Sequence, residues 1–431
     1  MIRHELLRRQ AQGNPIRVGA SAIEWMGSGF VAAMAHVPGM VVSALANSNV
    51  EEAITAYTAT GVPRDCIVEV NTPQAACDAL ARDKRVVMAD PTLLARIDFL
   101  DIVTDSTWSP AIGAEVAFSC IQQGKDIILI NIEADVTVGR ILKKRAAQAG
   151  VLYSVSSGDE PGCLMELYDF VAALGYEVIA IGKGKNNPLD HSATPQSVAE
   201  SARKADKDPV QVASYVDGTK TMFEMACAAN ATGCRPMQRG MVGPQATLDN
   251  VSQVFALEED GGISKFPGVV DFVQGSSMSG GVFITVHVPD ERIQDDLNYL
   301  KVGKGKYFTF FRPYHLWFLE APISIARAYL NREVWMAPLD KPSADVMTVA
   351  KRDLVPGDVL ERFGGYTTYG EIDLAEEARR VNALPCGLSP GAKIKRPVAA
   401  GQIVTWEDVI LDEESTLVKL RREQDALDGA I

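Results

Sequence analysis

The sequence predicts an α/β protein: a Rossmann-like doubly wound parallel sheet, then an α+β catalytic domain, then a small C-terminal all-β module. Three observations carry this expectation. Short apolar runs alternate with amphipathic stretches from Ile16 to about Tyr153, as in a parallel sheet covered by helices on both faces. Past residue 155 the texture shifts to a longer helical repeat and to strands of alternating polarity. From about residue 345, glycines and prolines punctuate short β segments.

Taken in order, MIRHELLRRQAQGNP is basic, lacks the apolar centre of a signal peptide and reads as a short helix ending at Gly13. IRVGAS is the first strand, 28–36 a helix and MVVSALAN the second strand. Residues 66–70, 85–89 and 102–104 are further strands. A helix at 113–123 is stopped by Gly124; DIILINI is a strand, 140–148 a helix and VLYSVSS a last strand. These elements define a domain over 14–154. GDEPG opens a helix with Pro161 near its start and Leu164, Leu167, Val171 and Leu174 at helical spacing. The run 176–181 reads as a strand that delivers the loop GKGKNNPLD. Further strands at 269–273 and 281–288 complete a domain over 155–340. The β module spans 345–413, and a charged C-terminal helix occupies 414–431.

Composition narrows the function. A net charge of −13 over 431 residues argues against nucleic acid or an anionic membrane as the main partner, while leaving room for a local basic pocket. Seven scattered cysteines without a CxxC pair, and five histidines without HxxxH or HExxH spacing, argue against a disulfide framework and a zinc centre. No apolar run approaches the roughly 18 residues of a membrane span. A cytoplasmic protein acting on a small molecule is expected.

The chemistry concentrates in two stretches. Lys183, Lys185, Asn186 and Asn187 cluster among glycines, and Asp217, Lys220 and Glu224 follow at spacings of three and four, which puts them on one helical face. Ammonium, carboxylate and amide groups in this number suit a polyhydroxylated or phosphorylated substrate. Arg312, Tyr314 and His315 are polar groups amid aromatic rings and need partners there. The nucleotide loop departs from its usual form. After Gly19 at the end of the first strand, the three positions of G-x-G-x-x-G are Ala22, Glu24 and Gly27, so only the last glycine is kept. Glu24 would face the diphosphate, and two unit charges about 4 Å apart repel by roughly 1 kcal/mol even in water. Asn47 stands where an acidic residue often holds the ribose hydroxyls.

The motifs GDEP, GKGKNNPL, DGTKTM.EMA, KVGKGKYFTF.RPYHL and GLSPG together resemble the homoserine-dehydrogenase-like proteins with a C-terminal SAF domain. The resemblance is closest to the 1-deoxy-D-xylulose 5-phosphate reductoisomerase-like enzymes, and it runs from Gly13 to about Asp425. It implies NADP(H) or NAD(H) as cofactor, a divalent metal as a further candidate, and a homo-oligomer. It also implies an activity that converts 1-deoxy-D-xylulose 5-phosphate to 2-C-methyl-D-erythritol 4-phosphate. Residue by residue it nominates Lys183, Lys185, Asp217, Lys220, Glu133 and Glu160 for catalysis. Asn186, Asn187, Asp159, Lys304, Lys306, Arg312, Tyr314 and His315 would bind substrate, and Gly19, Gly27, Asn47 and Asn131 the cofactor. The cofactor turn departs from the family's glycine fingerprint, and TDSTWSP carries Trp108 where a glycine is usual; Trp25 and Trp108 are expected to fill nucleotide space. Three readings follow: an NAD(P)-dependent oxidoreductase, a redox-neutral isomerase or lyase that has lost the dinucleotide, and a non-catalytic binding protein.

Overall fold

The structure, a computed structural model, describes residues 1–21 and 25–429, apart from the side chains at 25–27 and 276. The chain divides into two compact units: 1–159 with 316–337, and 160–315 with 338–431.

The first unit is built on a seven-stranded parallel sheet of β1 (Ile16–Ser21), β2 (Met40–Ala46), β3 (Ile67–Glu69), β4 (Arg85–Met88), β5 (Ile102–Asp105), β6 (Ile127–Leu129) and β7 (Tyr153–Val155). Their order is β3-β4-β2-β1-β5-β6-β7. Each expected strand is present, and the order reverses between β1 and β5, the switch point at which ligands of such sheets bind. Helix α1 (Ile2–Ala11) precedes β1; α2 (Trp25–Met34), α3 (Val50–Ala59), α4 (Pro73–Leu80), α5 (Pro110–Gln122) and α6 (Ile132–Ala149) connect successive strands, apart from β4 and β5, which a 3-10 turn (Pro91–Arg96) joins.

Local chemistry fixes the helix ends. Proline takes the first position of α4 and α5, where no N–H is needed, behind Thr72 and Ser109 caps that accept from Ala75 and Ile112. Helix α6 begins eight residues before the expected 140, because Asn131 caps it through the Ala134 N–H at 3.0 Å; it ends on Gly150 at φ 72°. The helix Trp317–Asn331, expected in the second domain, belongs to the first unit. Its Trp317 stacks on Phe30 at 5.8 Å within the cluster formed by Ile16, Val18, Val31 and Ile325.

The second unit holds a five-stranded sheet of β8 (Glu177–Lys185), β9 (Val269–Gln274), β10 (Val282–His287), β11 (Gly303–Lys304) and β12 (Tyr307–Arg312), in the order β11-β12-β10-β8-β9. Against it lie α7 (Glu160–Ala173), α10 (Thr219–Thr232), α11 (Val251–Val254) and α12 (Glu291–Tyr299), while α8 (Ala199–Lys204) packs on α9 (Pro209–Val216) and α9 on α10. Beyond residue 337 come the antiparallel pairs β13 (Ala344–Ala350) with β14 (Thr368–Leu374), and β15 (Lys393–Ile394) with β16 (Val409–Ile410). This segment is bound into the second unit. Asn230 of α10 donates to the Ala344 carbonyl and accepts from the N–H groups of Ser343 and Ala344, while Thr219 accepts from Gly370 N–H at 2.9 Å. Among the described residues no helix is long and apolar enough to cross a membrane.

Candidate active site

The lysines expected in a loop lie in a strand. β8 extends to Lys185, and the Lys-Gly-Lys alternation has a physical reason. A Cβ on Gly182 would run into the Asp271 carbonyl and the Phe283 ring, and one on Gly184 into the Met278 carbonyl. Glycine permits that close approach on one face, and the two-residue period sends Lys183 and Lys185 to the other.

On that face Lys183 is buried and forms ion pairs with two carboxylates, Glu160 in the first turn of α7 and Glu224 in α10. Burial alone pulls the Lys183 ammonium down, but the two carboxylates outweigh it and the net shift is upward. Glu224 moves up as well, through burial and then the nearby Glu160, against the pull of Lys183 and Lys220. Lys185 is equally buried and donates to the Tyr215 carbonyl at 2.6 Å. It has no carboxylate of its own, so burial and then the charge of Lys183 push it down to about 8.

His315 completes the group. Its Nδ1 lies 2.9 Å from the Gly280 carbonyl, which can only accept, so Nδ1 carries a proton. Its Nε2 lies 3.2 Å from Glu160 Oε1. The cluster therefore sets an imidazole and a carboxylate 3.2 Å apart beside an amine lowered to about 8, which is equipment for general acid–base work. Arg312 reaches back to α7, 3.0 Å from Cys163 Sγ and 2.8 Å from Glu166, and stacks over Tyr314, itself exposed.

Sheet register decides which other nominated residues join this group. Lys183, Val282 and Arg312 form one row across β8, β10 and β12, and Glu177, His287 and Tyr307 form another at the opposite end. Lys304 and Lys306 belong to that far end, where Lys306 pairs with Asp260 at 2.8 Å. Five residues of strand, about 17 Å, separate the rows. The expectation that Lys304 and Lys306 share a pocket with Lys183 is corrected on this geometry. Asn186 and Asn187 follow β8 directly, exposed and half-buried.

The single helical face drawn through Asp217, Lys220 and Glu224 is also corrected. Gly218, at φ 93°, breaks the chain between α9 and α10, so Asp217 caps the end of one helix while Lys220 and Glu224 ride on the next. The Asp217 carboxylate is wholly buried. It accepts from Thr219 N–H at 2.8 Å and pairs with Lys351 at 2.7 Å, and Lys351 also donates to the carbonyls of Ala193 and Gly365. Asp217 thus joins the C-terminal segment to α9 and α10. Lys351 was not foreseen, since one lysine in AKRDL carries no sign of burial. Glu160, Cys163 and Glu166 follow one another at intervals of three, a spacing that could have paired α7 with Arg312.

Glu133 and Asp159 belong to the first unit, as do the nominated cofactor residues. Gly19 lies inside β1, where a Cβ would meet Leu100 at 2.6 Å, so it serves strand packing. Asn131 is consumed as the α6 cap, its amide donating to Asp105, Thr107 and the Ser109 carbonyl. Asp105 is fully buried and pushed up by that burial, against hydrogen bonds from Ser21, Thr107 and Asn131. Gly19 and Asn131 thus each have a structural role in the first unit. Trp108 is half-buried. Ala22, Glu24 and the surroundings of Trp25 and Gly27 lie outside the described residues. Asn47 does stand at the carboxyl end of β2, donating to Glu52 at 2.9 Å and to the Asn49 carbonyl at 3.0 Å. A carboxylate is thereby present at the place where a ribose diol would be held, so the acceptor at this end of the crevice fits the ribose of a dinucleotide.

Comparison with known proteins matches residues 158–321 to the family model for oxidoreductase DRL, catalytic domain. The match covers less than half of the chain, and it contains Glu160, Lys183, Lys185, Glu224 and His315. No curated protein matches the chain by sequence. Among solved structures it is similar to a probable dehydrogenase from Thermotoga maritima, at 12% identity and TM-score 0.43 over 74% of this chain and 90% of that one. It is also similar to scyllo-inositol dehydrogenase from Lactobacillus casei with bound NAD(H) and scyllo-inositol, at 12% identity and TM-score 0.34 over 63% and 73%. A third is 1-deoxy-D-xylulose 5-phosphate reductoisomerase from Zymomonas mobilis in complex with NADPH, at 16% identity and TM-score 0.35 over 50% and 57%. Residues 158–321 are thus similar to an oxidoreductase catalytic domain, and that match encloses the buried lysine–carboxylate cluster.

Proposed function

We propose that this enzyme interconverts a carbonyl and a hydroxyl group on a small, oxygen-rich substrate, with a nicotinamide dinucleotide as the hydride carrier and Lys185 as the proton carrier. The observation that supports this reading is the unequal treatment of two neighbouring lysines. Lys183 is fixed as a cation between Glu160 and Glu224, while Lys185 is left to titrate at about 8. Reduction of a carbonyl needs one proton on the oxygen, and an amine of that pKa gives it up and regains it near neutral pH. The dinucleotide, when bound, supplies or accepts the hydride. His315 and Glu160, an imidazole and a carboxylate 3.2 Å apart, can exchange a second proton with a neighbouring hydroxyl.

Within this class, polyols and hydroxy-ketones fit better than sugar phosphates. Lys183 is neutralised twice over, Lys351 is neutralised by Asp217, Arg312 by Glu166, and Lys304 and Lys306 stand at the far end of the sheet. Reductoisomerase chemistry on 1-deoxy-D-xylulose 5-phosphate is the finer form of this reading, and it would need a phosphate contact from elsewhere. A redox-neutral isomerase or lyase using the same amine is the second reading, favoured by Ala22 and Glu24 in the nucleotide turn.

The test is a panel of polyols, hydroxy-ketones and sugar phosphates assayed for NAD(P)-linked absorbance change with wild type, Lys185→Met and Lys185→Arg. Turnover that both substitutions abolish supports the proposal, and turnover that Lys185→Met leaves intact removes it. Conversion of substrate without any absorbance change supports the redox-neutral reading.

A further inference from the structure

The carboxyl end of β2 carries a more definite arrangement than the sequence suggested. Asn47 occupies the position where a Rossmann sheet usually has its ribose-binding acid, and it is nine-tenths buried. The acid comes instead from the first turn of α3. Asn47 donates to Glu52 Oε2 at 2.9 Å and Asn49 donates to Glu52 Oε1 at 2.9 Å, so two amides hold both oxygens of one exposed carboxylate at the mouth of the strand. The segment from Ala46 to Ala53 reads ANSNVEEA, with two acids and no Lys or Arg to receive a 2′-phosphate.

We propose that Glu52 is the acceptor for the adenosine ribose diol and that it makes the enzyme selective for NAD(H) over NADP(H), a choice between the two cofactors that the resemblance leaves open. This rests on the reading that a dinucleotide binds in the β1–β5 crevice. A carboxylate with both oxygens fixed accepts hydrogen bonds from two vicinal hydroxyls. The same fixed charge repels a 2′-phosphate, and the two amides prevent it from swinging aside without breaking two hydrogen bonds.

The experiment is calorimetric titration of the full chain with NAD⁺ and NADP⁺, for wild type, Glu52→Gln and Glu51→Gln. Both glutamates are exposed, so all three proteins should fold, which circular dichroism checks. Wild type should bind NAD⁺ at least about tenfold more tightly than NADP⁺. Glu52→Gln should bring the ratio within about threefold, and Glu51→Gln, which removes the same charge one residue away, should leave it standing. NADP⁺ binding as tight as NAD⁺ in wild type, or a ratio that Glu52→Gln does not move, overturns this proposal while sparing the cofactor reading. Failure of both nucleotides to bind overturns the cofactor reading and this proposal with it.

Discussion

Lys183 and Lys185 leave the same face of β8 two residues apart, and their surroundings move them in opposite directions. Lys183 is raised, because two carboxylates outweigh its burial, whereas Lys185 is lowered to about 8, because burial and the fixed charge of Lys183 act together on it. One lysine sets the other. This pair generates the first two predictions.

Lys185 should govern the pH dependence of turnover. As proton donor it must be charged, so kcat/KM for carbonyl reduction should fall as pH rises through about 8. The reverse oxidation needs the neutral amine and should rise through the same pH. The same shift makes a stability statement. A lysine whose folded-state pKa is depressed binds fewer protons folded than unfolded between about 8 and 10.4, so stability rises with pH across that window. Below it the buried charge costs on the order of 3 kcal/mol, as an upper bound. Lys185→Met should therefore abolish turnover yet melt at the same temperature or higher at pH 7, as read by calorimetry. A less stable, fully active variant would refute both statements.

Lys183→Met should do the reverse. It leaves Glu160 and Glu224 buried near one another without the cation between them, a loss of about 3–5 kcal/mol. Adding Glu224→Gln removes one of the two charges and should recover part of that loss. A double-mutant cycle by urea denaturation measures the coupling, and additive losses would mean that the three groups do not act as a unit.

The segment beyond residue 337 should prove inseparable from the second unit because of Lys351. Its ammonium meets the Asp217 carboxylate and two backbone carbonyls with no exposure of the carboxylate, so Lys351→Met strands a buried charge. The expected cost is about 3–5 kcal/mol, with earlier proteolysis in the 190–193 and 361–366 turns. Substitution at the exposed Lys395 is the control and should change little. A Lys351→Met protein that resists protease like wild type would make the segment an appended module after all.

How much of this was legible beforehand follows from the range of the forces involved. The parallel sheet was readable because each strand is an apolar run with local turn signals at its ends, and IRVGAS is bounded in the structure as it is in the sequence. The lysine strand was misread as a loop because Gly182 and Gly184 look like breakers. Only the approach of Phe283 and the Met278 carbonyl, about a hundred residues away, shows that glycine is there for close packing. Lys183, Lys185, Glu160 and His315 were all nominated, but the pairing of Lys183 with Glu224 depends on how α10 and β8 meet. Lys304 and Lys306 were misassigned because GKGKY resembles the first lysine motif, and only strand register separates the two by the length of a sheet.

Asp271 supplies the last prediction, one that sequence could not suggest. It lies buried on β9, and its carboxylate accepts the N–H groups of Val242, Gly243 and Phe272 at 3.0, 2.9 and 2.8 Å, pinning the 241–243 turn. Burial nonetheless pushes it up from 3.8 to about 6, against those three hydrogen bonds. A carboxylate raised in this way binds more protons folded than unfolded between about 4 and 6, so its contribution to stability falls as pH rises through that window, by about 3 kcal/mol. Asp271→Asn removes the titration but must turn an amide N–H₂ toward a backbone N–H, so it should be the less stable protein at every pH. The informative quantity is the gap between the two. Measured by urea denaturation, wild type should gain on Asp271→Asn by up to about 3 kcal/mol between pH 7 and pH 4. A gap that stays constant over that range would show that Asp271 titrates at its ordinary pH, and that the three backbone N–H groups fully offset its burial.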